Sequence, residues 1–283
     1  MLITSYKDYK LAVDAMKKDI KFFVNNPSSR TKCLIISGEP GIGKTYQADE
    51  VLKTTDRPWT KARSISPVGL YKKMWGCPDG IILFEDSDSI LVSKGDATTV
   101  LKAAADMYPS REMEWYKSNF DSVKIPNTIH GNDDIAKYIE RIAKNDKKLQ
   151  PKYERGELFP NRFTFTGQLI ILTNKTLKEI TDRTDSALAN RSSHLELVMN
   201  REGAFDVIKH AAEIMGNGND KKKLKTAVDF LTSKSTRNYC VLYKKQPSLR
   251  SINKILDAID KGETLDELLL DKSLETPTYD EET

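Results

Sequence analysis

One short segment of the sequence has residue types and spacing that suit the binding of a triphosphate. It reads GEPGIGKT and matches the pattern G-x-x-x-x-G-K-[ST] in full. Glycines let backbone N–H groups curl around a β-phosphate, and a helix that begins at the lysine adds a favourable dipole. Lys44 would reach the β- and γ-phosphates, while the Thr45 hydroxyl would ligate Mg²⁺. The predicted nucleotide-binding residues are Gly38, Glu39, Pro40, Gly41, Ile42, Gly43, Lys44 and Thr45.

A second segment, DGIILFEDSDSI, places two adjacent acids directly after four apolar residues. Such a run is typical of a strand that is buried on both faces. A phosphate loop needs one acid that holds Mg²⁺ and another that activates the attacking water. Glu85 is predicted to ligate the metal together with Thr45, and Asp86 to act as general base. Because Glu-Asp reverses the usual order, a register with Asp86 on the metal and Ser87 as a poor base stays open. That register implies slow or absent hydrolysis. Asp88 is expected to be structural or to hydrogen-bond a loop.

Buried strands alternate with helices over the first 200 residues. Apolar runs without polar alternation lie at 31–37, 80–84, 167–174 and 194–199, with helical periodicity between them. This alternation predicts an α/β fold with a parallel sheet, followed by an all-helical segment. The predicted division is an N-terminal helix at 1–30, a phosphate-loop core at 31–200 with an insertion at about 118–160, a helical domain at 201–262 and an acidic tail at 263–283.

Composition and charge bound the class of protein. The 283 residues are 39% hydrophobic and 30% charged, which is a globular composition. The net charge is +4, but residues 263–283 hold eight acids and one lysine, so the remaining residues carry +11. A basic body is compatible with contact to nucleic acid, and equally with simple solubility. No apolar run approaches the roughly 20 residues of a membrane helix, so no membrane contact is expected. Three scattered cysteines predict a reducing cytoplasm rather than a disulfide framework.

With these motifs the chain resembles an AAA+ ATPase over residues of about 31 to 262. The family is a P-loop α/β domain followed by a small helical lid, and the resemblance implies ATP and Mg²⁺ as cofactors. LIILTN ends in Asn174 and is similar to the family's sensor 1. DSALANRSSHLEL looks like the segment with the arginine finger, which would be Arg191. SLRSINKILDAI resembles sensor 2, with Arg250 closing on the phosphates.

Each of these three residues also has a plainer interpretation. Asn174 can belong to an ordinary turn, Arg191 can favour a helix C-terminus, and Arg250 can be an exposed helix residue. If an arginine acts in trans, the resemblance implies a homo-oligomeric ring, expected to be a hexamer. Arg162 and Arg111 flank the predicted catalytic strands and are rivals of Arg191 for that role.

Three classes of function remain open at this level. One is a motor or loader that acts on nucleic acid or a DNA-bound protein through a central pore. The others are a protein-remodelling chaperone and an ATP-dependent assembly switch with slow hydrolysis. Tyr71 near Val68-Gly69 either grips a polymer or belongs to the core, and Tyr153 in the basic insertion either lines a pore or is solvated. The compact build resembles phage-encoded members of the family, for which the host cytoplasm would be the location.

Overall fold

Strands and helices alternate up to residue 199 in the computed structural model, which describes residues 1–85, 88, 91, 95–115, 122–183, 186–215 and 220–277. The strands are β1 (Leu2–Ile3), β2 (Cys33–Gly38), β3 (Trp59–Arg63), β4 (Ile81–Glu85), β5 (Arg111–Glu114), β6 (Ser122–Val123), β7 (Phe159–Pro160), β8 (Arg162–Phe165), β9 (Gln168–Thr173) and β10 (Ser192–Met199). The helices are α1 (Tyr6–Asn25), α2 (Lys44–Leu52), α3 (Pro67–Trp75), α4 (Asp96–Ala104), α5 (Asn132–Asn145), α6 (Gln150–Glu154), α7 (Leu177–Arg183), α8 (Ser186–Asn190), α9 (Arg201–Lys209), α10 (Ala211–Met215), α11 (Lys221–Thr232), α12 (Lys234–Leu242), α13 (Leu249–Lys261) and α14 (Glu267–Ser273).

Six of the strands form one sheet in the order β1-β10-β2-β9-β4-β3, and every neighbouring pair is parallel. The predicted parallel α/β sheet is therefore confirmed, as are its four apolar strands β2, β4, β9 and β10. Ser37 pairs with Thr173, and Phe84 pairs with Ile171. The carboxyl ends of β2, β9 and β4 consequently meet at one edge of the sheet, where the motif residues of all three strands come together.

Strands β2, β4 and β9 are buried along their whole length, as their apolar sequences predict, whereas β10 and β3 are only partly buried. Along β2, Cys33 and Ile35 pack into the cluster under α3 and α4, while Leu34 and Ile36 pack into the cluster under α1 and α2. Helix α1 begins at an N-cap, Ser5, whose side chain accepts from the Asp8 amide, and it buries its apolar stripe against the sheet. The stripe consists of Tyr9, Ala12, Met16, Ile20, Phe23 and Val24.

The region predicted as a polar insertion contributes to the core. Strand β8, which follows this region, pairs antiparallel with β5, which precedes it, and its Phe163 and Phe165 are almost fully buried. Helix α5 buries Ile135, Ile139 and Ala143 against the same cluster. The polar, lysine-rich surface of this region conceals a regular apolar face of period 3.6 in α5.

The helices after β10 have a buried cluster of their own and a firm connection to the sheet. Helix α9 turns Ala204 and Val207 toward the sheet cluster and Phe205 and Ile208 toward the C-terminal helices. This shared helix fixes α13 relative to the carboxyl edge of the sheet. Across the described residues, no helix is both long and apolar enough to cross a membrane.

Candidate functional site

The segment GEPGIGKT forms the turn between the end of β2 and the start of α2. Gly41 and Gly43 have φ angles of +76° and +90°, values that favour glycine. Ile42 lies between them with 2% of its surface exposed, packed into the cluster under α1 and α2. The apolar anchor and the two left-handed glycines together hold the loop open at the first turn of α2.

Lys44 joins the loop to the neighbouring strand. Its Nζ donates to the carbonyl oxygens of Gly38 at 2.7 Å and Glu39 at 2.9 Å, and to Asn174 Oδ1 at 2.9 Å. Only 7% of the lysine is exposed. Asn174 follows β9, which lies beside β2, so the sheet brings together two residues that are 130 positions apart. The structure thus places the predicted lysine and the predicted sensor asparagine in direct contact.

A cavity of about 730 Å³ opens beside this lysine. Thr45 is exposed at its wall, next to Tyr46. The volume lies in the range of small-molecule sites. The remaining wall comes from Tyr9 of α1, Gln47 and Asp49 of α2, Asp88, Leu172, Thr173 and Asn174 at the end of β9, Ile214 and Met215 of α10, and Leu249, Arg250 and Asn253 of α13.

The carboxylate of Glu85 is paired with basic side chains of β3. It is 2% exposed, and its carboxylate forms ion pairs with Arg63 and, at 3.0 Å, with Lys61. Lys61 also donates to Asp49 at 2.5 Å. Burial disfavours the charged form of Lys61, but the two carboxylates outweigh it and raise its pKa. The predicted metal ligand is therefore neutralised by two cations, and it is not among the described residues that line the cavity. Asp86 lies outside the described residues.

Asp88 and Thr173 connect the acidic segment to the sensor strand. The Thr173 hydroxyl donates to Asp88 Oδ1 at 2.6 Å, and both residues line the cavity. Asp88 was expected to be structural or to hydrogen-bond a loop, and it is also one of the two carboxylates on the described wall, with Asp49. Its signal in the sequence was its position three residues after Glu85. Within the described part of the chain, no group of three or more His, Cys, Asp or Glu side chains is placed to hold a metal by itself.

The N-terminus of α13 rests on the phosphate loop. Ser248 caps the helix and forms a capping box with Ser251. A Cβ added to Gly41 would lie 2.6 Å from both Cβ and Oγ of Ser248, closer than packed atoms approach. Arg250, two residues after the cap, lines the cavity. The predicted second sensor and the loop are thus held together through a contact that only glycine allows.

We expect Gly41→Ala to push α13 away from the loop and to weaken ATP binding roughly tenfold, which is about 1.4 kcal/mol. The alanine is disfavoured at this positive φ by roughly 1–2 kcal/mol, and its methyl group collides with Ser248. Gly156→Ala is the matched control, because Gly156 has φ +66° but has nothing within 4 Å of an added Cβ. Calorimetric titration with MgATP compares the two. Equal affinities in both variants would show that the Ser248 contact is irrelevant to binding.

The candidate arginines differ in how firmly they are engaged within the chain. Arg111 is 4% exposed and donates to the carbonyl oxygens of Tyr108 and Gly167, and burial lowers its pKa to about 10. Arg162 bonds Glu112 at 3.0 Å and two carbonyl oxygens, with 13% of its side chain exposed. Arg191 is 35% exposed and has looser contacts, 3.3 Å to the Lys102 carbonyl and 3.6 Å to Asp106. Of the three, Arg191 is the most accessible.

The segment considered as a polymer grip belongs to the core. Leu70 and Tyr71 are both 0% exposed, and the Tyr71 hydroxyl donates to the Pro160 carbonyl at 3.2 Å. Tyr71 therefore packs the inside of α3 and is not available to a polymer. Tyr153, on α6, is 39% exposed.

Comparisons with known proteins give distant similarities. No protein-family model matches the chain. An uncharacterized 36.7 kDa protein of Enterobacteria phage T4 is 26% identical over 217 residues, which are 74% of this chain and 55% of that protein. The chain thus spans about half the length of this curated relative.

Two solved structures are similar to the chain at 12% identity. Domain III of the replication initiation protein DnaA from Thermotoga maritima gives a TM-score of 0.43, covering 95% of this chain and 91% of that one. The replication initiator DnaA bound to AMPPCP and single-stranded DNA gives 0.35, covering 91% of this chain and 62% of that one. At these levels of similarity, the chemistry of the site is the basis for a functional assignment.

Proposed function

We propose that this chain is a Mg²⁺-dependent P-loop ATPase of the AAA+ type. One observation carries the proposal: the buried Lys44 ammonium is fixed by two loop carbonyls and Asn174 at the wall of a nucleotide-sized cavity. An ammonium held there, beside the N-terminus of α2, attracts the β- and γ-phosphates of a triphosphate. Arg250 also lines the cavity, beside Gly41 of the loop, and would bind the same phosphates.

The residues present fit a magnesium ion. Mg²⁺ is usually bound by one or two carboxylates together with substrate phosphates and water. The exposed Thr45 hydroxyl and an acid near the end of β4 supply such a set. That acid is Glu85 once it is released from Lys61 and Arg63, or Asp88, which already lines the cavity. When bound, the ion neutralises charge on the phosphates.

Hydrolysis then needs groups that position a water molecule and accept its proton. Asn174, already fixed beside Lys44, would orient the water against the γ-phosphate. Asp86 is the proposed general base, by its position directly after β4. Arg191, the most accessible of the three candidate arginines, would reach the nucleotide of a neighbouring copy. The proposal therefore includes a homo-oligomer, with six copies as the expected number.

The proposed substrate of the ATPase is a nucleic acid or a nucleoprotein assembly. The charge of +11 outside residues 263–283 supports it, since basic proteins are attracted to phosphate backbones. A second candidate, an assembly switch with slow hydrolysis, is favoured by the ion pairs that neutralise Glu85, because a carboxylate paired with two cations is less available to a metal ion.

The test is the ATPase rate with single-stranded DNA, double-stranded DNA or an unfolded protein added, each compared with buffer alone. We expect DNA of one form to raise the rate several-fold, an effect that added salt suppresses. The same samples, sized by analytical ultracentrifugation, should show oligomers in MgATP. Stimulation by the unfolded protein alone would support protein remodelling. A rate near zero in all samples, with ATP-dependent assembly, would support the switch. Monomers in saturating MgATP would contradict the shared active site.

A further inference from the structure

A buried glutamine in the cavity wall has a polar atom that the protein does not satisfy. Gln47 lies on α2, one turn after Lys44, with 8% of its surface exposed. It lines the cavity. Its Oε1 is buried and has no hydrogen-bond partner among the residues that the structure describes. Buried amide oxygens are nearly always bonded, so this atom calls for an explanation.

The neighbours of Gln47 place its amide beside the phosphate loop. A Cβ built on Gly43 would lie 4.0 Å from Gln47 Nε2 and 3.6 Å from the Tyr9 hydroxyl. Tyr9 itself is satisfied, because its hydroxyl donates to the Ile42 carbonyl at 3.4 Å. The described wall also contains the apolar side chains of Ile214, Met215 and Leu249 and the polar side chains of Arg250 and Asn253. A polar side chain in the wall of such a cavity is suited to orienting a ligand.

The chemistry of the free atom limits what it can bind. A carbonyl oxygen accepts hydrogen bonds and donates none. Phosphate oxygens at neutral pH are acceptors too, so the triphosphate itself is excluded as its partner. A hydrogen-bonding partner has to carry an N–H or O–H group, and in a nucleotide these lie on the nucleoside, as ribose hydroxyls or as an amine on the base.

We propose that Gln47 Oε1 accepts a hydrogen bond from the nucleoside part of the bound nucleotide and is a specificity-determining residue of this site. The inference rests on the proposed nucleotide-binding function and adds to it a contact outside the phosphates. A site with a buried acceptor discriminates strongly against ligands that lack the matching donor, because such a ligand leaves the acceptor unpaired. Gln47 therefore determines which nucleoside the site accepts, while Lys44 binds the triphosphate that all these ligands share.

The test compares wild type with Gln47→Met, in which the thioether replaces the amide at similar length and volume. Calorimetric titrations use MgATP and magnesium tripolyphosphate, the latter having the phosphates without a nucleoside. We expect Gln47→Met to weaken MgATP binding about tenfold, or about 1.4 kcal/mol, and to leave tripolyphosphate binding unchanged. Glu50→Gln, on the outer face of the same helix, should change neither affinity.

Two nucleotide analogues identify the donor in wild type. If the donor is the ribose 2′-hydroxyl, 2′-deoxy-ATP binds wild type as weakly as ATP binds the variant, and Gln47→Met costs nothing further with this ligand. If the donor is the amine on the base, the weak binding is seen with inosine triphosphate, which has an oxygen in place of that amine. Gln47→Met then costs nothing further with inosine triphosphate.

The outcomes separate this inference from the function on which it rests. Equal MgATP affinity in wild type and Gln47→Met overturns the inference alone, and indicates a water molecule on the amide. A tenfold loss for tripolyphosphate as well also overturns it, because the variant then acts on the loop. If Gln47→Met fails to fold, the affinities of Gln47→Leu for MgATP and tripolyphosphate are compared with those of wild type in the same way. A wild type that binds neither ligand contradicts the nucleotide site itself.

Discussion

Replacing Lys44 with alanine is expected to weaken MgATP binding by roughly 100- to 1,000-fold, through loss of charge-assisted hydrogen bonds to two phosphates. The structure shows how Lys44 is positioned for this contact. The ammonium is held at the end of the loop by Gly38, Glu39 and Asn174, so its position is fixed before a ligand arrives. The substitution also leaves these acceptors without their donor, which lowers the free energy of unfolding by about 1–3 kcal/mol. Isothermal titration and thermal unfolding measure the two effects.

A matched control for this change is Lys53→Ala, which removes a lysine of the same charge just after α2. Lys53 is 64% exposed and pairs with Glu50 on the surface, an interaction worth little. It should bind MgATP like wild type and unfold at nearly the same temperature. If Lys44→Ala bound MgATP as well as Lys53→Ala does, the cavity beside the loop would not be a triphosphate site.

Asp86→Asn should slow ATP hydrolysis by roughly 10²- to 10⁴-fold, the usual contribution of a general base, and should change the affinity for MgATP by no more than about threefold. The prediction follows from the sequence position of Asp86, directly after the last residue of β4. Asparagine has the size of aspartate but cannot take a proton from water. Steady-state phosphate release and the affinity for a non-hydrolysable ATP analogue separate the two effects.

Glu85→Gln and Asp88→Asn complete this comparison, because the structure gives Glu85 and Asp88 different surroundings. If Glu85 leaves Lys61 and Arg63 to bind the metal, Glu85→Gln weakens the dependence of hydrolysis on Mg²⁺. If Asp88 binds it, Asp88→Asn has this effect, and its bond to Thr173 weakens too. Hydrolysis at the wild-type rate in Asp86→Asn would exclude Asp86 as the general base. The register in which Asp86 binds the metal and Ser87 takes the place of the base would then be the remaining alternative.

Strands of the sheet could be predicted from the sequence wherever they consist of a continuous run of apolar residues. β2, β4, β9 and β10 were predicted because strands covered on both faces contain few polar residues. β3 was missed because TKAR within it is largely polar, and its burial is partial. β1 is two residues long, and β5 pairs with β8 across about 50 residues, which local patterns do not detect.

The site was predictable to the extent that motifs define it. The loop glycines, Lys44 and Asn174 each follow an apolar strand, so the parallel sheet was enough to bring them to one edge. The ion pairs of Glu85 were not predictable, because both partners lie on the unrecognised strand β3. The role proposed for Gln47 was not predictable from the sequence, because it depends on the burial of the side chain in the folded protein. The sequence did contain one signal, namely a glutamine on the apolar face of α2, beside Ala48 and Val51.

A crystal structure with a non-hydrolysable ATP analogue and Mg²⁺ tests the nucleotide site most directly. We expect density for the triphosphate within the turn formed by residues 38–45, in contact with Lys44 Nζ, and the nucleoside in the cavity between α1 and α13. Density for the nucleotide at another place on the protein, with the loop and Lys44 making only their present contacts, would contradict the proposed function.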